Sequence, residues 1–156
     1  MADTFDRCIY CFAPKAEPGA CPVCGYEDGL CEQPGWWLTP GTVLRGRYMV
    51  GKNLSGTAQE LRYLGWDLGT DELVEIVEYY PEDILTRDIT HSTCVSCLPG
   101  RETELESGKQ AFFEKARLFC NCVSRVESLV MDFFVRNGTC YYVRRREKEQ
   151  RTQESK

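Results

Sequence analysis

Beyond residue 40 the chain alternates between short apolar runs and turn formers, a pattern that predicts strands. Val43-Leu44 with Tyr48-Met49-Val50, then residues 61–66, then residues 73–80 are rich in β-branched and aromatic side chains. Gly51, Asn53 and Gly56 interrupt the first gap, and Asp67, Gly69 and Asp71 the second, at hairpin distances that imply an antiparallel meander. The period then changes. In residues 110–119 apolar Phe112, Ala116 and Phe119 recur at i, i+4 and i+7 with charges between them, which predicts an amphipathic helix, and Ser107 with Gln110 has the spacing of its capping box. Residues 129–135 and 140–143 then flank Arg136-Asn137-Gly138, and Asn-Gly is the strongest short hairpin signal. Three strands, a helix and two strands predict an α+β unit with a five-stranded antiparallel sheet and one main helix.

Within the run Val74-Glu75-Ile76-Val77 the period of two puts Val74 and Ile76 on one face and Glu75 with Val77 on the other. With the first pair in the core, the second pair faces whatever the opposite side of the sheet serves.

The first 35 residues carry a different signal. Cys8-Ile9-Tyr10-Cys11 is followed by Cys21-Pro22-Val23-Cys24-Gly25. Two C-x2-C knuckles supply four thiolates for a tetrahedral, closed Zn²⁺ site, which is structural because no coordination position stays open. Gly25 suits the bend after the second knuckle. Such a segment is too short to have a core, so metal binding is its folding energy. Gly29, Pro34 and Gly35 break regular structure after it, and Pro40-Gly41 opens the next unit. The organisation predicted is a zinc ribbon and linker over 1–34, the α+β domain over 35–146 and a charged tail over 147–156.

Composition narrows the function classes. With 156 residues and 42% hydrophobic content the chain is long enough to bury a core. No apolar run approaches the ~20 residues of a bilayer span, and MADTFDRCIYCF has acids and cysteines where a secretory signal has a basic and an apolar stretch, so a cytoplasmic protein without membrane partners is expected. Ten cysteines in that setting read as metal ligands plus free thiols. The net charge is −5, and the ribbon carries Asp3, Asp6, Glu17, Glu27, Asp28 and Glu32 against Arg7 and Lys15. Four thiolates on one Zn²⁺ add to that negative charge, which disfavours phosphate contacts, and no nucleic acid is expected.

Several motifs together resemble a known family. Pro40-Gly-Thr-Val-Leu-Arg-Gly-Arg-Tyr-Met-Val-Gly51, Tyr63-Leu-Gly-Trp-Asp67, Glu78-Tyr-Tyr-Pro81 with Thr86-Arg-Asp88, Phe113-Glu-Lys-Ala-Arg117, and Asp132-Phe-Phe with Asn137-Gly-Thr139 follow in the order and spacing of the small lobe of bacterial, eukaryotic-like Ser/Thr protein kinases. The resemblance is to those that open with a cysteine zinc ribbon, and it runs from residue 38 to 143. It implies a kinase-type small lobe, yet the chemistry that the family needs is missing. The three phosphate-loop glycines fall on Ser55, Thr57 and Glu60, the valine that roofs adenine falls on Arg62, the small residue against adenine falls on Glu75, and the phosphate lysine falls on Val77. Glu114 keeps the place of the helix glutamate, without its lysine partner; beside Lys115 and Arg117 it reads as a solvated helix charge. After Val143 the chain continues RRREKEQRTQESK, with neither an HRD-type loop nor a DFG among the 156 residues.

The expectation is a degenerate, pseudokinase-like lobe without its large lobe, not an enzyme: a zinc-binding protein-interaction or regulatory module that neither binds ATP nor transfers phosphate. A lobe without its other half predicts an apolar patch drawn from Phe112, Phe119, Tyr141 and Tyr142, covered by a protein partner or a second copy of the chain. Alternatives are the front, targeting part of a longer protein, and a zinc-ribbon nucleic-acid binder. Smaller features have plainer readings. His91, Cys94 and Cys97 have metal-like spacing but lie where the family has an extended segment; Cys31, Cys120, Cys122 and Cys140 read as buried or free thiols; Trp36 and Trp37 dock the linker; Arg144 to Arg146 solubilise the tail.

Overall fold

The structure is a computed structural model and describes residues 7–14, 19–26, 36–90, 92–120 and 130–145. The strands are β1 (Val43–Leu44), β2 (Tyr48–Gly56), β3 (Glu60–Asp67), β4 (Glu72–Tyr79), β5 (Leu85–Thr86), β6 (Ser96–Cys97), β7 (Val130–Arg136) and β8 (Thr139–Arg145), with one helix, α1 (Glu102–Cys120), between β6 and β7. The main sheet has the order β1-β2-β3-β4-β8-β7, and β5 pairs with β6 in a small second sheet. Every pair is antiparallel. The α+β class holds, but the main sheet has six strands rather than five.

The extra strand has a local cause. Arg45 and Gly46 both adopt left-handed backbone, at φ 56° and 69°, and the Arg47 amide bonds the Leu44 carbonyl at 3.0 Å. That is the mirror-image turn that folds one strand tightly back on the next, so Val43 and Leu44 pair with Met49 and Tyr48 instead of leading into one continuous strand. At the other hairpin Asn137 and Gly138, at φ 55° and 81°, make the same turn, here as its residue types predict.

Helix α1 begins at Glu102, earlier than the apolar period indicates, so Ser107 and Gln110 lie inside it rather than at its cap. Its start is marked instead by Gly100 in left-handed backbone and by Glu102 and Glu104 in the first turn, where carboxylates favour the positive end of the helix dipole. Leu105, Phe112 and Ala116 are its buried stripe. Phe112 rests on Tyr79, Phe133 and Tyr142, with ring centroids 5.2–6.1 Å apart; burying one such ring is worth roughly 1.5–3 kcal/mol.

The sheet is covered on both faces. On the face opposite the helix, Tyr48, Val50, Tyr63, Val74, Ile76, Tyr141 and Val143 are all fully buried. The linker seals them: Trp37 meets Tyr63 edge-on at 5.4 Å, and the Leu38 amide donates to the Tyr63 hydroxyl at 3.1 Å. The expected boundary near residue 34 and the charged tail lie outside the described residues, and no helix among the described residues is long and apolar enough to cross a membrane.

Candidate metal centre and the remodelled sheet face

Cys8, Cys11, Cys21 and Cys24 meet in one cluster, all four sulfurs within 4.8 Å of one another. Cys8 lies 3.7 Å from Cys24, and Cys11 lies 3.7 Å from Cys21. A tetrahedral Zn²⁺ with Zn–S bonds of ~2.3 Å has S···S edges of roughly 3.8 Å, so the four residues fit such an ion. A disulfide would bring two sulfurs to about 2.05 Å, and all four are free.

The two halves are built alike. The amides of Tyr10 and Cys11 point at the Cys8 sulfur at 3.3 and 3.5 Å, and those of Val23 and Cys24 at the Cys21 sulfur at 3.3 and 3.4 Å. Each knuckle then turns through a left-handed residue, Phe12 at φ 65° and Gly25 at φ 82°. Glycine takes that backbone freely; a phenylalanine there costs about 1–2 kcal/mol, which its ring, only 2% exposed, offsets by burial. The Tyr10 and Tyr26 rings stack at 4.9 Å and tie the halves together. Amide hydrogen bonds, the one from Cys24 foremost, bring the Cys21 thiol down to about 6, whereas burial pushes Cys11 up to about 12 and raises Cys24 too. A dication at the centre would favour all four thiolates at once. With four soft ligands and no open position, it would cross-link the ribbon and do no chemistry.

The face of the sheet that α1 packs on carries Arg62, Glu75 and Val77, three of the positions where the kinase resemblance fails. Val77 lies across from Tyr142 and Arg62, and Glu75 across from Arg144 and Leu64. Glu75 accepts from Arg62 at 3.3 Å and from Arg144 at 3.3 Å, so a carboxylate clamped by two guanidinium groups stands where the resemblance puts a small residue against adenine. Val77 is fully buried. The alternation of faces is as the period of two requires, but both Val74-Ile76 and Val77 are core because helix and linker cover opposite sides.

Three amides at the tip of the β2–β3 hairpin are used internally. The Thr57 hydroxyl accepts from the Gln59 and Glu60 amides, both at 3.1 Å, while the Thr57 amide donates to the Glu60 carbonyl at 2.8 Å. A phosphate-binding loop works by aiming such amides outward. The tip is also pinned, since the Gln59 and Ala58 carbonyls accept from the Tyr80 and Glu82 amides at 2.8 and 3.0 Å. Glu114 points away from the sheet and pairs with Arg117 at 2.8 Å on an exposed surface. It is Lys115 that reaches the sheet, where it pairs with Glu60.

The expected apolar patch is different in composition. Phe112, Tyr141 and Tyr142 are buried, the first under its own helix and the tyrosines inside the sheet, and the Phe119 side chain lies outside the described residues. Among the described residues, the large apolar side chains left exposed on α1 are Phe113 and Leu118. Cys140 is a buried thiol, Cys94 is exposed and Cys97 partly so. His91, Cys31 and Cys122, and the Cys120 side chain, lie outside the described residues. Sequence reasoning missed one polar cluster, Glu78 with Arg87, Tyr63 and Tyr141. Its signal was available: Glu78 continues the inward phase of Val74 and Ile76, which obliges its carboxylate to find a buried partner.

No family model matches the chain, and no curated protein does. Among solved structures, PpkA-294 in its apo form has a similar fold, with a TM-score of 0.63 at 19% sequence identity. The match covers 70% of this chain and 38% of that one. It is a likeness of fold.

Proposed function

We propose that this chain is a non-catalytic, zinc-stabilised interaction or regulatory module, built on a kinase-like small lobe that neither holds ATP nor transfers phosphate. The fold that it shares in part with PpkA-294 supports the lobe reading. The observation that carries the proposal is Glu75 held between Arg62 and Arg144: a nucleotide base on this face would have to displace two ion pairs and then lie against a carboxylate. The internally satisfied amides around Thr57 and the buried Val77 point the same way. A reducing, cytoplasmic setting suits four free thiolates. The partner is a protein or a second copy of the chain, bound through the surface a large lobe would cover; Phe113 and Leu118 are exposed apolar residues on α1 that such a contact could use.

The test is light scattering after size exclusion on zinc-loaded protein, followed by thermal melts with and without Mg·ATP. A dimer, or a monomer that acquires a protein partner, with no shift by ATP supports the module. A monomer stabilised by Mg·ATP refutes it. A second reading, the front part of a longer protein, is favoured by the 38% of PpkA-294 that the match spans; in that case the domain to look for is one that supplies what the small lobe lacks.

A further inference from the structure

The ribbon is seated on the sheet by a specific set of contacts, all from its first knuckle. Phe12 packs with Leu64 and Trp66, ringed by Met49, Leu54 and Leu73, in a buried cluster separate from the main core. The Arg7 guanidinium lies over the Trp66 ring at 4.3 Å and donates to the Phe12 carbonyl at 2.9 Å. The Tyr10 carbonyl accepts from the Lys52 amide at 2.8 Å, where the pairing of β2 with β3 slips between Val50 and Asn53. Gly51 makes the approach possible: a Cβ there would lie 2.4 Å from the Phe12 ring and 2.8 Å from the Tyr10 carbonyl oxygen.

The seat is shallow elsewhere. A cleft of about 660 Å³ remains between ribbon and sheet, bounded by Cys11, Phe12 and Val23 on one side and Leu54, Trp66 and Leu73 on the other. Phe12 makes its contact from a left-handed backbone that the knuckle around Cys8 and Cys11 imposes.

We propose that the Leu54, Leu64, Trp66 and Leu73 face is a docking surface whose occupant is this chain's own metal-loaded ribbon, so that metal occupancy decides whether the surface is covered. The proposal rests on the reading of the four cysteines as a metal site. Without the ion the two halves keep only the Tyr10–Tyr26 stack and the amide bonds within each knuckle, too little to hold four sulfurs within 4.8 Å of one another, so the first knuckle loosens and Phe12 leaves its seat. The main core keeps its own buried residues, because the two clusters are separate. An apolar face of the lobe would then be open to another protein.

The test is amide hydrogen exchange on the full chain, zinc-loaded and chelated, with zinc stoichiometry measured in each sample. On chelation the Lys52 amide is expected to exchange about tenfold faster or more, as for a local opening, while the Ile76 and Val143 amides of the paired β4 and β8 keep their protection. Gly51→Val, in which the ribbon cannot seat, should show the same loss at Lys52 with zinc still bound; Phe12→Ala serves if that variant does not fold. Lys52 protection that survives chelation, or that survives in the seating variant, overturns the proposal. So does loss of protection at Ile76 and Val143 together with Lys52, which would make the ribbon part of one cooperative core. Failure to take up zinc at all is a separate outcome and refutes the metal reading itself.

Discussion

Glu78 on β4 and Arg87, which follows β5, form an ion pair with both side chains fully buried. Nη1 and Nη2 of Arg87 donate to the two carboxylate oxygens at 2.7 and 2.8 Å. The Tyr63 and Tyr141 hydroxyls donate to the same carboxylate at 2.7 and 2.5 Å, and Arg87 also donates through Nε to the Trp36 carbonyl at 2.8 Å and through Nη1 to that of Thr93 at 3.2 Å. The network joins the linker, β3, β4, β8 and the loop before β6. Buried charge is tolerated because nearly every donor and acceptor around it is used.

Breaking this pair from one side should be severe. Glu78→Ala or Arg87→Met is expected to cost on the order of 3–5 kcal/mol, since each leaves an uncompensated buried charge. The double variant Glu78→Leu with Arg87→Met should recover much of that, having no charge left to bury. Urea unfolding midpoints measure all three. Single variants that cost less than about 1 kcal/mol, the scale of exposed pairs, would show that water reaches the site.

The same tyrosines predict an alkaline limit. Burial first, and then the charge of Glu78, raises Tyr63 and Tyr141 well above their ordinary value of 10, and burial pushes Tyr142 up to about 12. Groups whose folded values are raised lend stability that is complete below their unfolded value and fades as pH climbs through the folded one. Stability should therefore hold to pH 10, fall from there past pH 12, and fall less steeply in Tyr142→Phe. Phenolate absorbance should appear together with unfolding; buried tyrosines that titrate near 10 in a still-folded protein would contradict this.

How much of this was legible follows from how local each cause is. The cysteine knuckles and the Asn137-Gly138 turn were readable because the atoms that matter sit within a few residues. Arg45 was not, since an arginine in left-handed backbone carries no composition signal. The faces of Glu75 and Val77 followed from strand period alone, but the clamp on Glu75 needs the register of β4 against β8 and β3. The burial of Val77 needs the helix and the strands around it, brought in from distant parts of the chain. The fate of Phe112 and Tyr142 was misjudged for the same reason: each covers the other.

The metal centre makes a prediction about which cysteines matter. The chain should bind one Zn²⁺, and Cys8→Ser, Cys11→Ser, Cys21→Ser or Cys24→Ser should each abolish stoichiometric binding, because a closed four-thiolate site tolerates no missing ligand. Cys94→Ser and Cys97→Ser should leave it intact. Metal content after gel filtration decides the matter, and zinc lost from either of the latter two variants would relocate the site.

Val77 offers the sharpest contrast with a working nucleotide lobe. In the family that the sequence resembles, a lysine here is held between phosphates and a helix glutamate; in this chain the side chain is fully buried beside Tyr142, and Glu114 turns outward to Arg117. Val77→Lys therefore buries an ammonium across from the Arg62 guanidinium, with Glu75 already held by Arg62 and Arg144 and the helix glutamate turned away, and should cost on the order of 3–5 kcal/mol, as an unpaired buried charge does. Mg·ATP should not restore the loss, because the Thr57 hairpin keeps its amides to itself and Glu75 remains clamped. Urea midpoints of the variant, with and without Mg·ATP, give the answer. A well-folded Val77→Lys protein stabilised by the nucleotide would mean that only the lysine had been lost, and that the rest of the face still recognises ATP.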